Sequence, residues 1–264
     1  AEWTTTTGGP VYGVTRSDEP ETRRRLQDLG IEPLAREQLG ALPDAPFAYV
    51  AFCAPPGGND DYAAEVESAL RHWRGPGDDA CGFVFTSSAG VYAEDCGGTV
   101  AEDAPLGSTP RSQRLLDAER LVTAAGGTVL RLAGLYLLRR GAHNAYLGME
   151  EVKARPDGLI NQVHYQDAAS ATVAALLRGA EGGVYVAADD APLSREEICA
   201  VALRSPAFRG RAAPRFAPAD AHSPGGRGKV LNCRRSREEL GWAPRYTTFG
   251  TFIESGDELE EGAS

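Results

Sequence analysis

Short apolar runs alternate along this chain with helix-patterned stretches, and that alternation leaves few folds open. Val11–Val14, Ile31–Leu34, Phe47–Phe52, Gly82–Phe85, Thr128–Leu132 and Gly183–Ala187 read as strands. Between and after them, Glu19 to Leu29, Tyr62 to Arg74, Pro110 to Ala125 and Gln166 to Arg178 carry helical spacing. A helix-length connection after each strand is what parallel neighbours require, so the pattern predicts an α/β protein with a doubly wound, mainly parallel sheet. From Pro192 the chain reads as a small C-terminal lobe. Ser194-Arg195-Glu196-Glu197 opens a helix with a capping box, and a second helix runs from Asn232 to Leu240. The expected domain spans 1–253, with its core over about 10–187 and the small lobe drawn from about 138–162 and 188–253. Residues 254–264, acidic and small, are expected to be a disordered tail.

Composition narrows the partners. A net charge of −10 disfavours nucleic acid and anionic membrane surfaces. No apolar run approaches the roughly 18 residues a membrane span needs. The five cysteines are scattered and odd in number, which reads as free thiols in a reducing compartment. The four histidines make no ligand spacing with them, so no metal site is expected.

Five stretches taken together resemble an extended short-chain dehydrogenase/reductase of the nucleotide-sugar epimerase type, a Rossmann-like fold. They are FTSSAGVY (85–92), TVLRLAGLY (128–136), VHYQDAAS (163–170), PLSREEI (192–198) and NCRRSREELGWAPRY (232–246). The loop Ala54-Pro55-Pro56, RLAGLY followed by RGAH, and the terminal ELGW-P-Y look most like an atypical subgroup of bacteria, cyanobacteria and plastids. By that likeness the expected compartment is the plastid, in the stroma or at the thylakoid, and otherwise the cytoplasm.

The resemblance implies a catalytic Ser, Tyr and Lys. Ser88 falls on the Ser position, and the Tyr-x-x-x-Lys helix should lie in GSTPRSQRLLDAE, residues 107–119. There Arg111 stands at the Tyr position and Leu115 at the Lys position; a slip of one residue puts Arg114 at the Lys position, still without a tyrosine. A phenol near pKa 10 needs a neighbouring cation to act as a base at neutral pH, so the usual acid/base pair is absent. Tyr92 and Tyr136, on loops expected to face the cleft, are the weak substitutes, although a tyrosine at a strand end more often packs structurally. His164 is read as structural. The resemblance further assigns cofactor contacts to Thr15, Arg16 and Ser17 after the Val11–Val14 strand and to Ala54, Pro55 and Pro56. An Arg at that place accommodates a 2′-phosphate, so the dinucleotide, if there is one, is NADP(H) rather than NAD(H).

By the same likeness Val11–Val14 is the second strand of the fold, and the first strand, its glycine turn and most of its helix are missing. Ala1-Glu2-Trp3 reads as the tail of that helix, and TTTTGGP as the turn after it. Such a unit takes roughly 30 residues as a βαβ, and its strand occupies the centre of the sheet. Three arrangements follow: a chain continuing upstream of residue 1, direct pairing of Val11–Val14 with Phe47–Phe52, or a strand from a partner. The first is expected. Two functions follow from different classes. One is a non-catalytic structural or NADP-sensing subunit of a larger assembly. The alternative is an NADP-dependent oxidoreductase or epimerase with unconventional acid/base residues.

Overall fold

The computed structural model describes residues 2–15, 19–40, 42, 46–59, 61–77, 81–219 and 226–257. Helix α1 (Glu2–Thr7) leads into β1 (Val11–Val14), followed by α2 (Pro20–Asp28), β2 (Ile31–Leu34) and the single turn α3 (Arg36–Leu39). Strand β3 (Tyr49–Phe52), α4 (Tyr62–Leu70), β4 (Gly82–Ser88), β5 (Cys96–Val100), α5 (Pro110–Ala124), β6 (Thr128–Leu132) and β7 (Gly134–Tyr136) come next. The chain continues with α6 (Ala142–Leu147), β8 (Glu151–Val152), β9 (Leu159–Ile160), β10 (Gln162–His164), α7 (Tyr165–Arg178) and β11 (Val184–Ala187). It closes with β12 (Leu193–Ser194), α8 (Arg195–Ala202), β13 (Arg215–Phe216), β14 (Gly228–Leu231), α9 (Arg234–Glu239) and α10 (Phe249–Ser255).

The alternation folds as expected into an α/β protein whose strands pair mainly in parallel. The principal sheet has the order β11-β6-β4-β3, every pair parallel, with Phe85 opposite Val129 and Phe52 opposite Phe85. Local chemistry sets the helix starts. Asp61 accepts from Ala64 N–H at 3.0 Å at the head of α4, Thr109 accepts from Ser112 N–H at 3.1 Å ahead of Pro110, and Ser194 closes its capping box with Glu197. One face of the sheet packs Phe83, Phe85 and Val129 against Val66 of α4 and Leu115 of α5. The other buries Val84, Leu130 and Val186 under α7. Gly82 permits that second contact: a Cβ there would lie 2.2 Å from the Leu176 carbonyl oxygen. The C-terminal lobe has its own core around Ile198, Phe208, Phe249 and Phe252.

Several elements differ from the sequence reading. The helix α1 continues through the threonines, because Thr7 Oγ donates to the Trp3 carbonyl at 3.0 Å and accepts from Gly9 N–H at 3.2 Å. Only Gly8 (φ 69°), Gly9 and Pro10 remain for the turn. The direct pairing of Val11–Val14 with the Phe47–Phe52 run is not formed. Instead β1 pairs in parallel with β2 alone, and β3 ends the principal sheet. Side chains cross the seam between them, with the Tyr12 and Phe47 rings 5.8 Å apart and Trp3 4.8 Å from Tyr49. As a result β3 is only partly buried, with Ala51 exposed. A parallel ladder of β5 with β14 was not foreseen. Nor was α10, which carries the chain in order past Glu254 to Ser255. Asp257 then accepts from Arg245 and Tyr246 at 2.8 Å each. Arg16, Ser17 and residues 258–264 of the expected tail lie outside the described residues. Among the described residues no helix is long and apolar enough to cross a membrane.

Candidate functional site

Ser88 is the last residue of β4, at the carboxyl end of the sheet where ligands bind in open α/β folds. Its side chain is half-buried, and its Oγ accepts from Gly90 N–H at 3.1 Å, capping the short turn Ala89–Val91. The hydroxyl proton remains available to donate.

Behind Ser88 lies a buried ionic network. Arg131, on β6, grips Glu119 of α5 with Nη2 to Oε2 at 2.7 Å and Nε to Oε1 at 3.1 Å. Its Nη1 donates to Tyr92 Oη at 3.0 Å and to the Glu102 carbonyl at 2.9 Å, while Ser87 Oγ donates to Glu119 at 2.5 Å. Both charged side chains are about 5% exposed, so each must be neutralised and hydrogen-bonded where it stands. The network fixes the phenol of Tyr92, with the guanidinium 4.9 Å from the ring centre. Burial raises the Tyr92 pKa against the pull of Arg131. Tyr92 is thus buried, not facing the cleft, because Arg131 needs its oxygen. Tyr136 is fully buried as well, 5.1 Å from Phe249 and 5.2 Å from His164, and burial moves its pKa far upward.

Helix α5 settles which side chains stand over the strand ends. Leu115 is buried in the core with Phe85 and Val91, whereas Arg111 and Arg114 are exposed. Arg114 Nη1 reaches the Pro56 carbonyl at 3.4 Å, which puts its guanidinium at the mouth of the cleft. Counting back four residues from Arg114 gives Pro110, which has neither a phenol nor an N–H. The Ala54–Pro56 loop is held from the other side by Tyr62 Oη, donating to the Ala54 carbonyl at 2.7 Å.

A dinucleotide requires backbone amides for its pyrophosphate at a glycine turn between strand and helix. Among the described residues Gly57-Gly58 lies between β3 and α4, but Asp61 already engages the first-turn amide of Ala64 and brings a negative charge there. The described residues therefore do not complete a pyrophosphate cradle. Thr15 follows β1, and its neighbours Arg16 and Ser17 lie outside the described residues. No group of metal-binding side chains is present among the described residues.

His164 caps α7: its Nδ1 accepts from Gln166 N–H at 3.2 Å, and the ring is fully buried against Tyr136, Tyr246 and Phe252. Burial, aided by Arg245, pushes its pKa down to about 4. Two concave volumes of about 300 and 370 Å³ lie elsewhere, sharing Asn232 and Arg234 at the start of α9. The sequence reading missed these cavities and the Arg131–Glu119 pair. A lone arginine inside the apolar strand TVLRL was the available signal for the latter.

No protein-family model matches the chain, and no curated protein matches it. Solved structures do. A conserved protein of unknown function from Silicibacter pomeroyi is 22% identical with a TM-score of 0.70, covering 96% of this chain and 92% of that one. UDP-glucuronic acid 4-epimerase from Bacillus cereus, solved with UDP-glucuronic acid and NAD, is 15% identical with a TM-score of 0.71, covering 97% and 92%. dTDP-glucose 4,6-dehydratase from Bacillus anthracis, solved with NAD, is 16% identical with a TM-score of 0.69, covering 95% and 88%. Likeness at these identities speaks for the fold, and on fold this chain is a Rossmann-like α/β protein built as the sugar-nucleotide epimerases and dehydratases are.

Proposed function

We propose that this chain is a non-catalytic protein on a dehydrogenase-type fold, acting as a structural or NADP-sensing subunit of a larger assembly, with the plastid as its compartment. One observation carries the reading. Among the described residues, the side chains that the sequence offers for moving a proton are committed elsewhere: Tyr92 is held by Arg131, while Tyr136 and His164 are enclosed among aromatic rings. Helix α5 offers Pro110, Arg111, Arg114 and Leu115 where a tyrosine and a lysine would have to stand. General acid/base catalysis needs a titrating group within hydrogen-bond reach of the substrate, and an arginine cannot release its proton at physiological pH.

Calorimetric titration with NADPH and NADH, paired with turnover assays on nucleotide sugars and carbonyl compounds, tests this. Binding of NADPH without turnover supports sensing, no binding and no turnover supports a structural role, and turnover refutes the reading. If NADPH binds, Arg16→Glu should abolish the binding; unchanged affinity would remove Arg16 from the site. A second reading, an NADP-dependent oxidoreductase or epimerase with unconventional acid/base groups, draws support from the free proton of Ser88 and from Arg114 at the cleft mouth.

A further inference from the structure

Among the described residues five buried side-chain polar atoms have no protein hydrogen-bond partner, and three of them belong to neighbouring side chains beneath the C-terminal segment: Tyr136 Oη, His164 Nε2 and Asp189 Oδ2. The rings of Tyr136 and His164 are 5.2 Å apart. Phe249, 5.1 Å from Tyr136, offers its backbone N–H to the Asp189 carboxyl, and Asp189 lies close enough to Tyr136 to raise the pKa of its phenol. Their chemistry is complementary. Because His164 Nδ1 accepts from Gln166 N–H, the neutral ring carries its proton on Nε2 and is a donor there. Asp189 Oδ1 accepts from Ala191 N–H at 3.3 Å, so Oδ2 is the oxygen left to carry the carboxyl proton and donate it, and the phenol both donates and accepts. No direct bond joins the three, and a buried water is stable where two to four such groups converge.

We propose that Tyr136 Oη, His164 Nε2 and Asp189 Oδ2 share one enclosed water, and that this node fastens the segment Arg245–Ser255 to the end of the sheet. The surrounding bonds act on the same segment. Asp167 of α7 accepts from Arg245 N–H at 2.7 Å and Tyr246 N–H at 3.1 Å, and Asp190 N–H donates to the Thr247 carbonyl at 2.9 Å. The charged and titratable groups facing Asp189 are Asp190, itself paired with Arg237 of α9 at 2.6 Å, Asp167 of α7 and Tyr136 of β7, while Cys233 lines the same cavity as Asp189. Burial, with Asp190 and Asp167 adding to it, pushes the Asp189 carboxyl up to about 8. Near neutral pH that carboxyl keeps its proton, and opening the segment to water releases it.

Two measurements test the node. Tyr136→Phe removes one anchor of the water, so the thermal midpoint should fall by about 2–8 °C, the loss expected for a broken buried bond in a chain of this size. A raised or unchanged midpoint would mean that the phenol oxygen has no partner, and would overturn the proposal. In the unmodified protein, amide exchange at Tyr246–Phe252, corrected for its intrinsic pH dependence, should quicken by about tenfold per pH unit from pH 5 to 8 and then level off, as release of one proton requires. Asp189→Asn should flatten that dependence. The same pH dependence in both proteins would overturn the assignment of the proton to Asp189.

Discussion

Cutting the Arg131–Glu119 pair is the sharpest test of how the centre of the sheet is held. Arg131→Met would leave the Glu119 carboxylate with the single 2.5 Å bond from Ser87 in a site about 6% exposed, and would strip Tyr92 Oη and the Glu102 carbonyl of their donor. An uncompensated buried charge costs about 3–5 kcal/mol. Each orphaned acceptor adds about 1 kcal/mol or more. A total of roughly 5–7 kcal/mol is a large part of the 5–15 kcal/mol that holds a typical domain. Removing the charge as well, in Arg131→Met/Glu119→Leu, should restore most of that loss, because a buried pair replaced by apolar side chains of similar volume is often neutral. Urea unfolding of the wild type, both single variants and the double variant gives the coupling through a double-mutant cycle. Single variants that cost less than about 1 kcal/mol would refute the reasoning, since that is the range of exposed pairs. So would losses that simply add in the double variant.

Two further outcomes follow from the geometry. Gly82→Ala places a Cβ 2.2 Å from the Leu176 carbonyl oxygen and should destabilise the domain by about 1–3 kcal/mol in the same urea assay; a neutral result would mean that α7 sits less closely on β4. Burial lowers the His164 pKa from near 6.5 to about 4, so the neutral ring contributes stability that is fully present above pH 6.5 and is lost as the pH falls toward 4. That acid limb, worth up to about 3 kcal/mol at 1.36 kcal/mol per unit, should flatten in His164→Phe when unfolding is followed between pH 7 and 4, and an unaltered slope would place the titration elsewhere.

The parts of this molecule that were legible in its sequence are those governed by neighbours along the chain. The strand Thr128–Leu132, the helix opening at Pro110 and the capping box at Ser194 are written in local periodicity and capping chemistry, and they stand where expected. The ladder of β5 with β14 escaped, because Gly97 and Gly98 dilute the strand signal and its partner lies far along the chain. At the candidate site, the place of Ser88 at a strand end could be read. The register of α5 could not: whether Arg111, Arg114 or Leu115 points over the cleft depends on which face packs against the sheet, and that is set by Val91 and Phe85. Tyr92 and Tyr136 were expected at the cleft because their loops begin there. Their burial is decided by Arg131, Phe249 and Phe252, residues that local sequence does not connect to them.

The seam between β1 and β3 divides the molecule into parts of unequal durability. Across it the rings of Tyr12 in β1 and Phe47 meet, as do those of Trp3 in α1 and Tyr49 in β3, but no ladder hydrogen bond joins β1 to β3. Segments that share few buried contacts with the rest of a domain open at a lower free energy than the global transition. The elements β1, α2 and β2, with no fully buried residue among them, are therefore expected to open before the principal sheet does. Proteases and denaturants are then expected to meet two thresholds in this protein, the lower one in its first α/β layer.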